Sequence, residues 1–172
     1  MMHCAAILCD IRSVHNVGSI FRTADGAGFE KIYLCGVTPS PLDRFGKVRS
    51  DFAKVALGAE AGIAWETVSD IKDLVTVLKR EGWTIFALEQ ADRSMPIDSM
   101  KCDTGKCALM VGNEVGGIAP GILALADTVV EIPMLGRKES LNVSVAFGIA
   151  AYAPPVRPPP RPDSGIMESI PL

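Results

Sequence analysis

The chain has 172 residues, 48% apolar and 22% charged, and carries a formal net charge of −3. Those values suit a single globular domain with a sizeable core. They exclude a membrane-spanning helix, because the longest apolar stretch, Val143 to Ala153, falls short of the roughly 20 residues required. The acidic balance gives no global electrostatic case for nucleic acid, so any RNA contact needs a local basic patch.

In chain order, short apolar runs alternate with helix-like segments. Ala5 to Cys9 reads as a buried strand, and a helix is expected from about Gly18 to Ala27, stopped by Gly26-Ala27-Gly28. Lys31 to Cys35 reads as the next strand, followed by a loop containing Pro39 and Pro41. Asp51 to Ala61 is expected as one helix and Ala64 to Val68 as a strand. Ser69 is a plausible N-cap for a helix over Asp70 to Glu81, whose Ile71, Leu74, Val75 and Leu78 follow helical spacing up to Gly82. Trp83 to Leu88, Cys107 to Val111 and Thr128 to Ile132 read as strands. Pro120 starts a short helix, and Leu141 to Tyr152 forms the last one. Alternation of this kind predicts an α/β fold, a mostly parallel sheet with helices on both faces, whose ligands bind outside the carboxyl ends of the strands.

After Tyr152 the composition changes. Seven of the twelve prolines lie between Pro154 and Pro171. Residues 1–152 therefore read as the domain and 153–172 as a proline-rich, extended or disordered tail. No secretory signal is visible at the N-terminus. Five cysteines (Cys4, Cys9, Cys35, Cys102, Cys107) match neither a CxxC pair nor a zinc pattern, and His3 and His15 have no partner at ligand spacing. Free thiols in a reducing cytoplasm, and no metal, are expected.

Three glycine- and polar-rich turns stand out: Asn16 to Ala24, Val111 to Gly117, and Ile132 to Gly136 leading into Ser140 to Ser144. Each falls where a strand ends and a helix begins, so backbone amides and small side chains there can close around one small polar ligand. The familiar nucleotide signatures are absent: no GxxxxGK[ST] loop exists and Gly112 to Gly117 does not spell GxGxxG. No Ser-His-Asp or Cys-His set is suggested.

In this order, the motifs Asn16-Val17-Gly18-Ser19-Ile20-Phe21-Arg22-Thr23-Ala24, Leu109 to Ile118, and Ile132-Pro133-Met134 with Ser140 to Ala146 resemble those of the SpoU (TrmH) family of RNA 2′-O-ribose methyltransferases, in the SPOUT superfamily. The resemblance covers roughly Ile7 to Tyr152. It implies a C-terminal trefoil knot, S-adenosylmethionine held in the knotted loops, a homodimer, and tRNA or rRNA as substrate. It further implies a donor pocket built from Leu88, Glu89, Gly112, Asn113, Gly116, Ile132, Met134, Gly136, Ser140 and Leu141.

Catalytic roles fall by the same resemblance on Arg22, Asn16, Glu114, Ser140 and Asn142. Arg22 is expected at the ribose and its phosphate, anchoring phosphate and stabilising the alkoxide, because a guanidinium of pKa roughly 12 or above is a poor base. Four of the five also have a plain structural reading. Asn16 would cap the first helix, Glu114 would satisfy amides of its own loop, Ser140 would cap the last helix, and Arg22 would be a surface residue. With the chain starting near the first motif, RNA is expected to meet Arg12, Arg22, Arg44, Lys47, Arg49 and Lys54 and a partner subunit. Pro154 and Pro155 should end the last helix early, so that the dimer is either weaker or rests more on the first helix.

Overall fold

The computed structural model describes residues 2–156. Seven strands form one sheet: β1 (His3–Cys9), β2 (Lys31–Cys35), β3 (Ala64–Val68), β4 (Thr84–Leu88), β5 (Met95–Pro96), β6 (Lys106–Val111) and β7 (Thr128–Glu131). Their order is β3-β2-β1-β6-β4-β7-β5, and every neighbouring pair is parallel. The expected α/β architecture is therefore present. The central strands β1, β6 and β4 are buried on both faces, which is why their sequences are nearly continuous apolar runs.

Alternation along β1 sorts the core into two layers. Cys4, Ala6 and Leu8 face α1 (Val14–Ala27), α2 (Ser50–Ala56), α3 (Ala59–Gly62) and α6 (Val143–Tyr152), with Phe21, Phe52 and Phe147 between them. Ala5, Ile7 and Cys9 face α4 (Ile71–Arg80) and α5 (Pro120–Leu123), through Val75, Leu78 and Ile122. Edge-to-face packing of Phe21 on Phe52, centroids 5.1 Å apart, locks α1 to α2. After β7 the chain passes the carboxyl ends of β4 and β6 and returns as α6 on the α1 face.

Among the boundaries that differ from expectation, four have a local reason. α1 starts four residues early because Ser13, not Asn16, caps it, its hydroxyl accepting from the Asn16 N–H at 3.2 Å. The single helix expected over 51–61 is split into α2 and α3, because Leu57 (φ 52°) and Gly58 (φ 93°) turn the chain left-handed. Asp70 rather than Ser69 caps α4, accepting from Lys72 and Asp73. Asn142 rather than Ser140 caps α6. The two-residue edge strand β5 and the single 3₁₀ turn Ile97–Ser99 after it are too short to carry a periodic signal.

The last helix ends at Tyr152, ahead of Pro154, as expected. Val156 then folds back into the core, and its carbonyl accepts from the Cys4 thiol at 2.9 Å. The extended tail expected beyond it lies outside the described residues from 157 onward. Among the described residues no helix is long and apolar enough to cross a membrane.

All five cysteines are free. Cys4 and Cys107 oppose each other on β1 and β6 with their sulfurs 3.4 Å apart. The Cys4 contact and burial push the Cys107 thiol up. Burial, with Asp10 and Glu66 nearby, pushes Cys35 up to about 12, and burial also raises Cys9 well above its ordinary value. Only Cys102 is partly exposed. In the native state at about pH 8, alkylation followed by mass spectrometry should therefore label Cys102 alone, and all five thiols after unfolding. Fast labelling of a second thiol in the native chain would contradict this packing.

Candidate active site

Loops from three strand ends converge on one cleft of about 480 Å³, a size suited to a nucleotide-like cofactor. Leu88 and Glu89 come from the end of β4, and Val111 to Glu114 from the end of β6. Ile132 and Met134 follow β7, and Ser140 to Val143 with Ala146 form the entry to α6. Leu88, Ile132, Met134, Leu141 and Val143 present apolar surface, and the carboxylates of Glu89, Glu114 and Glu131 give the cleft a negative character.

The β6 loop is folded tightly over its own strand. Asn113 and Gly117 exchange backbone hydrogen bonds at 3.1 and 3.0 Å. The Asn113 side-chain oxygen accepts from Val115 and Gly116, and its amide donates to the Asp10 carbonyl at 2.7 Å. A Cβ on Gly112 would stand 2.4 Å from the Gly117 carbonyl carbon and 2.5 Å from the Ile118 nitrogen, so no other residue fits. Gly117 has φ 63°, with the Glu89 carboxylate against it. Glu89 accepts from the Ile118 N–H at 2.8 Å and ties the loop to β4.

At the mouth, one hydrogen-bonded chain joins three segments. The Arg12 and Ser13 N–H groups, just ahead of α1, donate to the Glu114 carboxylate at 3.3 and 3.2 Å. Asn16 Nδ2 donates to Glu114 at 2.9 Å, and Asn142 Nδ2 donates to Asn16 Oδ1 at 3.1 Å. Asn142 Oδ1 accepts from the Ser144 N–H and hydroxyl at 2.9 and 2.6 Å. Both amide orientations are forced: the carboxylate can only accept and the Ser144 N–H can only donate.

Partial desolvation pushes the Glu114 pKa up. The Asn16 amide and the backbone N–H groups of Glu114, Arg12 and Ser13 outweigh it and hold the carboxyl below its ordinary value. Glu114 is thus held in its charged form by donors from the threshold of α1.

Of the residues picked out from sequence, Leu88, Glu89, Gly112, Asn113, Glu114, Ile132, Met134, Ser140, Leu141 and Asn142 line the cleft, and Asn16 joins it through Glu114 and Asn142. Neither Asn16 nor Ser140 is a helix cap, and Glu114 reaches well beyond its own loop. Gly116 and Gly136 sit in the loops without lining the cleft, whereas Gly117 does line it. Arg22 is not brought to the cleft of the single chain. It lies exposed on α1, in a separate hollow with Asp25, Gly26 and the α2–α3 turn at Leu57 and Gly58.

Arg12 precedes α1 and uses its backbone at Glu114. Arg44 and Lys47 lie in the β2–α2 loop, Arg49 pairs with Asp51 at 2.9 Å, and Lys54 is in the last turn of α2. Sequence reasoning missed Gln90, Glu131, Val143 and Ala146. Gln90 follows Glu89 and donates to the Glu139 carbonyl at 2.8 Å, pinning the long loop, while Val143 and Ala146 form the i, i+3 face of the first α6 turn. Their strand-end and helix-face positions were available signals. Among the described residues no group of three or more His, Cys, Asp or Glu gathers as a metal site.

Residues 3–152 match the SpoU rRNA Methylase family. The chain belongs to that family. Among SpoU relatives, the 23S rRNA (guanosine-2′-O-)-methyltransferase RlmB of Ralstonia nicotianae is 33% identical over 147 residues, covering 85% of this chain and 55% of that protein. The tRNA (guanosine(18)-2′-O)-methyltransferase of Escherichia coli is 34% identical over 142 residues, covering 83% of this chain and 58% of that protein. The chain thus spans little more than half the length of these SpoU proteins. The AdoMet-bound rRNA methyltransferase structure from Sinorhizobium meliloti superposes with a TM-score of 0.79 at 26% identity, over 87% of this chain and 54% of that one.

Two outcomes test this geometry. Gly112→Ala must push the β6 loop off its strand, so thermal or denaturant unfolding should show a loss of about 1–3 kcal/mol or more; an unchanged midpoint would contradict the close approach. Because Glu114 is depressed in the folded chain, its stabilisation is full above the ordinary value of about 4.5 and is lost as pH falls through the lower folded value. The stability difference between wild type and Glu114→Gln, followed by denaturant unfolding, should therefore be constant from about pH 7 to 5 and shrink below that.

Proposed function

We propose that the chain is an S-adenosylmethionine-dependent methyltransferase acting on a ribose 2′-hydroxyl of tRNA or rRNA. The observation that carries this reading is the convergence of the three strand-end loops on one cleft whose mouth holds the Asn16–Glu114–Asn142 chain. The names of the 33% and 34% identical relatives support the RNA substrate, and the AdoMet-bound neighbour supports the cofactor.

The residues present fit that cofactor. Leu88, Ile132, Met134 and Leu141 offer apolar faces to an adenine ring, and backbone groups about Gly112 lie open at the strand end. Glu89, Glu114 and Glu131 complement a cationic sulfonium. When bound, the donor would supply an electrophilic methyl group for the ribose oxygen, with the hydroxyl proton passing to solvent water. The chain's own work is positioning and electrostatics. Asn16 and Asn142 hold fixed polar groups at the mouth, and Glu114 fixes both through α1 and the β6 loop. We assign Arg22 to the substrate phosphate and to stabilising the developing alkoxide, since a guanidinium anchors anions and is a poor base.

A homodimer completes the reading. Val145, Ile149 and Tyr152 are exposed at i, i+4 and i+7 along α6, an apolar stripe without cover in the single chain. Tyr152 adjoins Gly26 of α1, so the stripe runs onto the helix that carries Arg22. Pairing across this surface sets Arg22 at the boundary between copies, where RNA would be shared. We further read residues 1–152 as the catalytic domain, supported by the family match ending at 152, and a cytoplasmic setting, supported by the free buried thiols.

The test is methyl transfer from labelled donor to total RNA. Wild type should label an RNA species at a ribose, and Arg22→Ala should lower kcat by about 10²–10³ while donor affinity measured by calorimetry is kept. No incorporation into any RNA pool would overturn the reading, and a stable monomer in sedimentation would overturn the dimer.

A further inference from the structure

One aromatic side chain is used neither by the core nor by the cleft. Phe45, in the β2–α2 loop, is 72% exposed, yet its backbone is held firmly. Asp43 accepts from the N–H groups of Phe45 (2.8 Å) and Lys47 (3.0 Å) through one carboxylate oxygen. The Asp43 N–H donates to the Lys47 carbonyl and the Gly46 N–H to the Asp43 carbonyl, at 2.8 and 3.0 Å. Gly46 supplies the left-handed corner at φ 76°, and Leu42 and Val48 bridge the base. The result is a miniature hairpin with a phenyl ring at its tip. An ordered turn that spends its hydrogen bonds on presenting a large apolar ring to water points to a ligand for that ring.

The ring's neighbours indicate which ligand. The Arg44 guanidinium lies over Phe45, 4.7 Å from the ring centroid, which leaves the other face free. Between 42 and 54 stand four cations, Arg44, Lys47, Arg49 and Lys54, against the two carboxylates Asp43 and Asp51, in a chain of net charge −3. Asp43 is occupied by the turn and Asp51 by Arg49. The segment therefore keeps a local excess of two positive charges, four cations less two carboxylates. A free aromatic face beside cations is the chemistry that binds an unpaired nucleic-acid strand: the base stacks and the cations take its phosphates. A duplex offers phosphates there but no free base face. The hairpin belongs to the loop that leaves the carboxyl end of β2, the same edge of the sheet as the cleft, and β2 itself lies two ladder steps from β6, roughly 10 Å.

We propose that Phe45, backed by Arg44, is a stacking platform that holds an unpaired RNA base next to the nucleotide to be methylated. The proposal rests on the RNA methyltransferase reading and adds to it that the target lies in a single-stranded loop or end. Phe45 is a positioning residue for the substrate, not a catalytic one.

The experiment measures binding and catalysis separately. Anisotropy with a labelled mixed-sequence RNA of about 20 nucleotides, single-stranded or fully paired, reads binding directly. Phe45→Ala should weaken single-strand binding roughly 5- to 150-fold, leave duplex binding nearly unchanged, and raise KM for total RNA while kcat and donor affinity hold. Phe45→Tyr should restore binding. Phe45→Trp, corrected for Trp65 and Trp83, should show quenching by the single strand. Single-strand binding unchanged in Phe45→Ala overturns the platform. So does a changed sedimentation coefficient in that variant, which would make Phe45 a subunit contact. A wild-type chain that stacks single-stranded RNA but transfers no methyl group would instead overturn the proposed activity while upholding the platform.

Discussion

The mouth of the cleft depends on one carboxylate. Glu114 leaves the end of β6 on a loop with no regular structure, and its two oxygens accept from Arg12, Ser13 and Asn16 at the threshold of α1. These partners lie about a hundred residues away in sequence, so the contact closes a long loop whose entropic cost must be met by the sheet around it. The β1–β6 ladder does this, because it runs the two strands in register for six residues and delivers both ends to the same place. A carboxylate beside the first N–H groups of a helix is favoured by their unpaired donors and by the helix dipole. Once Glu114 is fixed, it fixes Asn16, Asn16 fixes Asn142, and Asn142 fixes the first turn of α6. Losing the anion would release three segments together.

The same donors limit the chemistry open to Glu114. An acceptor that holds three donors and is kept below its ordinary pKa is a weaker base than a free carboxylate. A ribose hydroxyl meeting this site would find oriented dipoles and fixed anions instead of a strong base. That matches a strategy in which geometry and electrostatics lower the barrier. The glycines serve the same purpose by steric means. Gly112 lets the β6 loop lie directly on its own strand, and Gly117 lets Glu89 approach close enough to hold it. The loop roof is thus rigid although it is irregular.

Central strands were legible in sequence because burial on both faces leaves an unbroken apolar run between turn residues, and β2 and β3 have the boundaries expected. Helix starts were less legible. At Ser13, Asp70 and Asn142 the capping side chain is chosen by which oxygen reaches the free N–H groups, and an adjacent Ser or Asn looks equally good in a string of letters. The break at Leu57 is a non-glycine residue in a left-handed conformation, which composition cannot signal. Most cleft residues were legible through the motifs. The direct pairing of Asn16 with Asn142, 126 residues apart, was not, because no local pattern encodes it. Arg22 marks the limit of reading residues one chain at a time. Its motif position groups it with Asn16, yet six residues along a helix carry it to a different side.

The sites assigned to donor and substrate differ in how freely they can change, and that difference bears on specificity. In the cleft, one altered group disturbs several others, since Asn16 and Asn142 each both donate and accept in a connected chain anchored on Glu114. The Asp43–Lys47 hairpin depends only on its own turn, and a change at its tip leaves the core and the cleft untouched. Surface loops of that kind tolerate substitution and insertion, whereas strand-end networks do not. Under the proposed activity and the proposed Phe45 platform, one chemistry can be kept while the RNA target varies through the β2–α2 loop, in residues such as Phe45 that the motifs pass over.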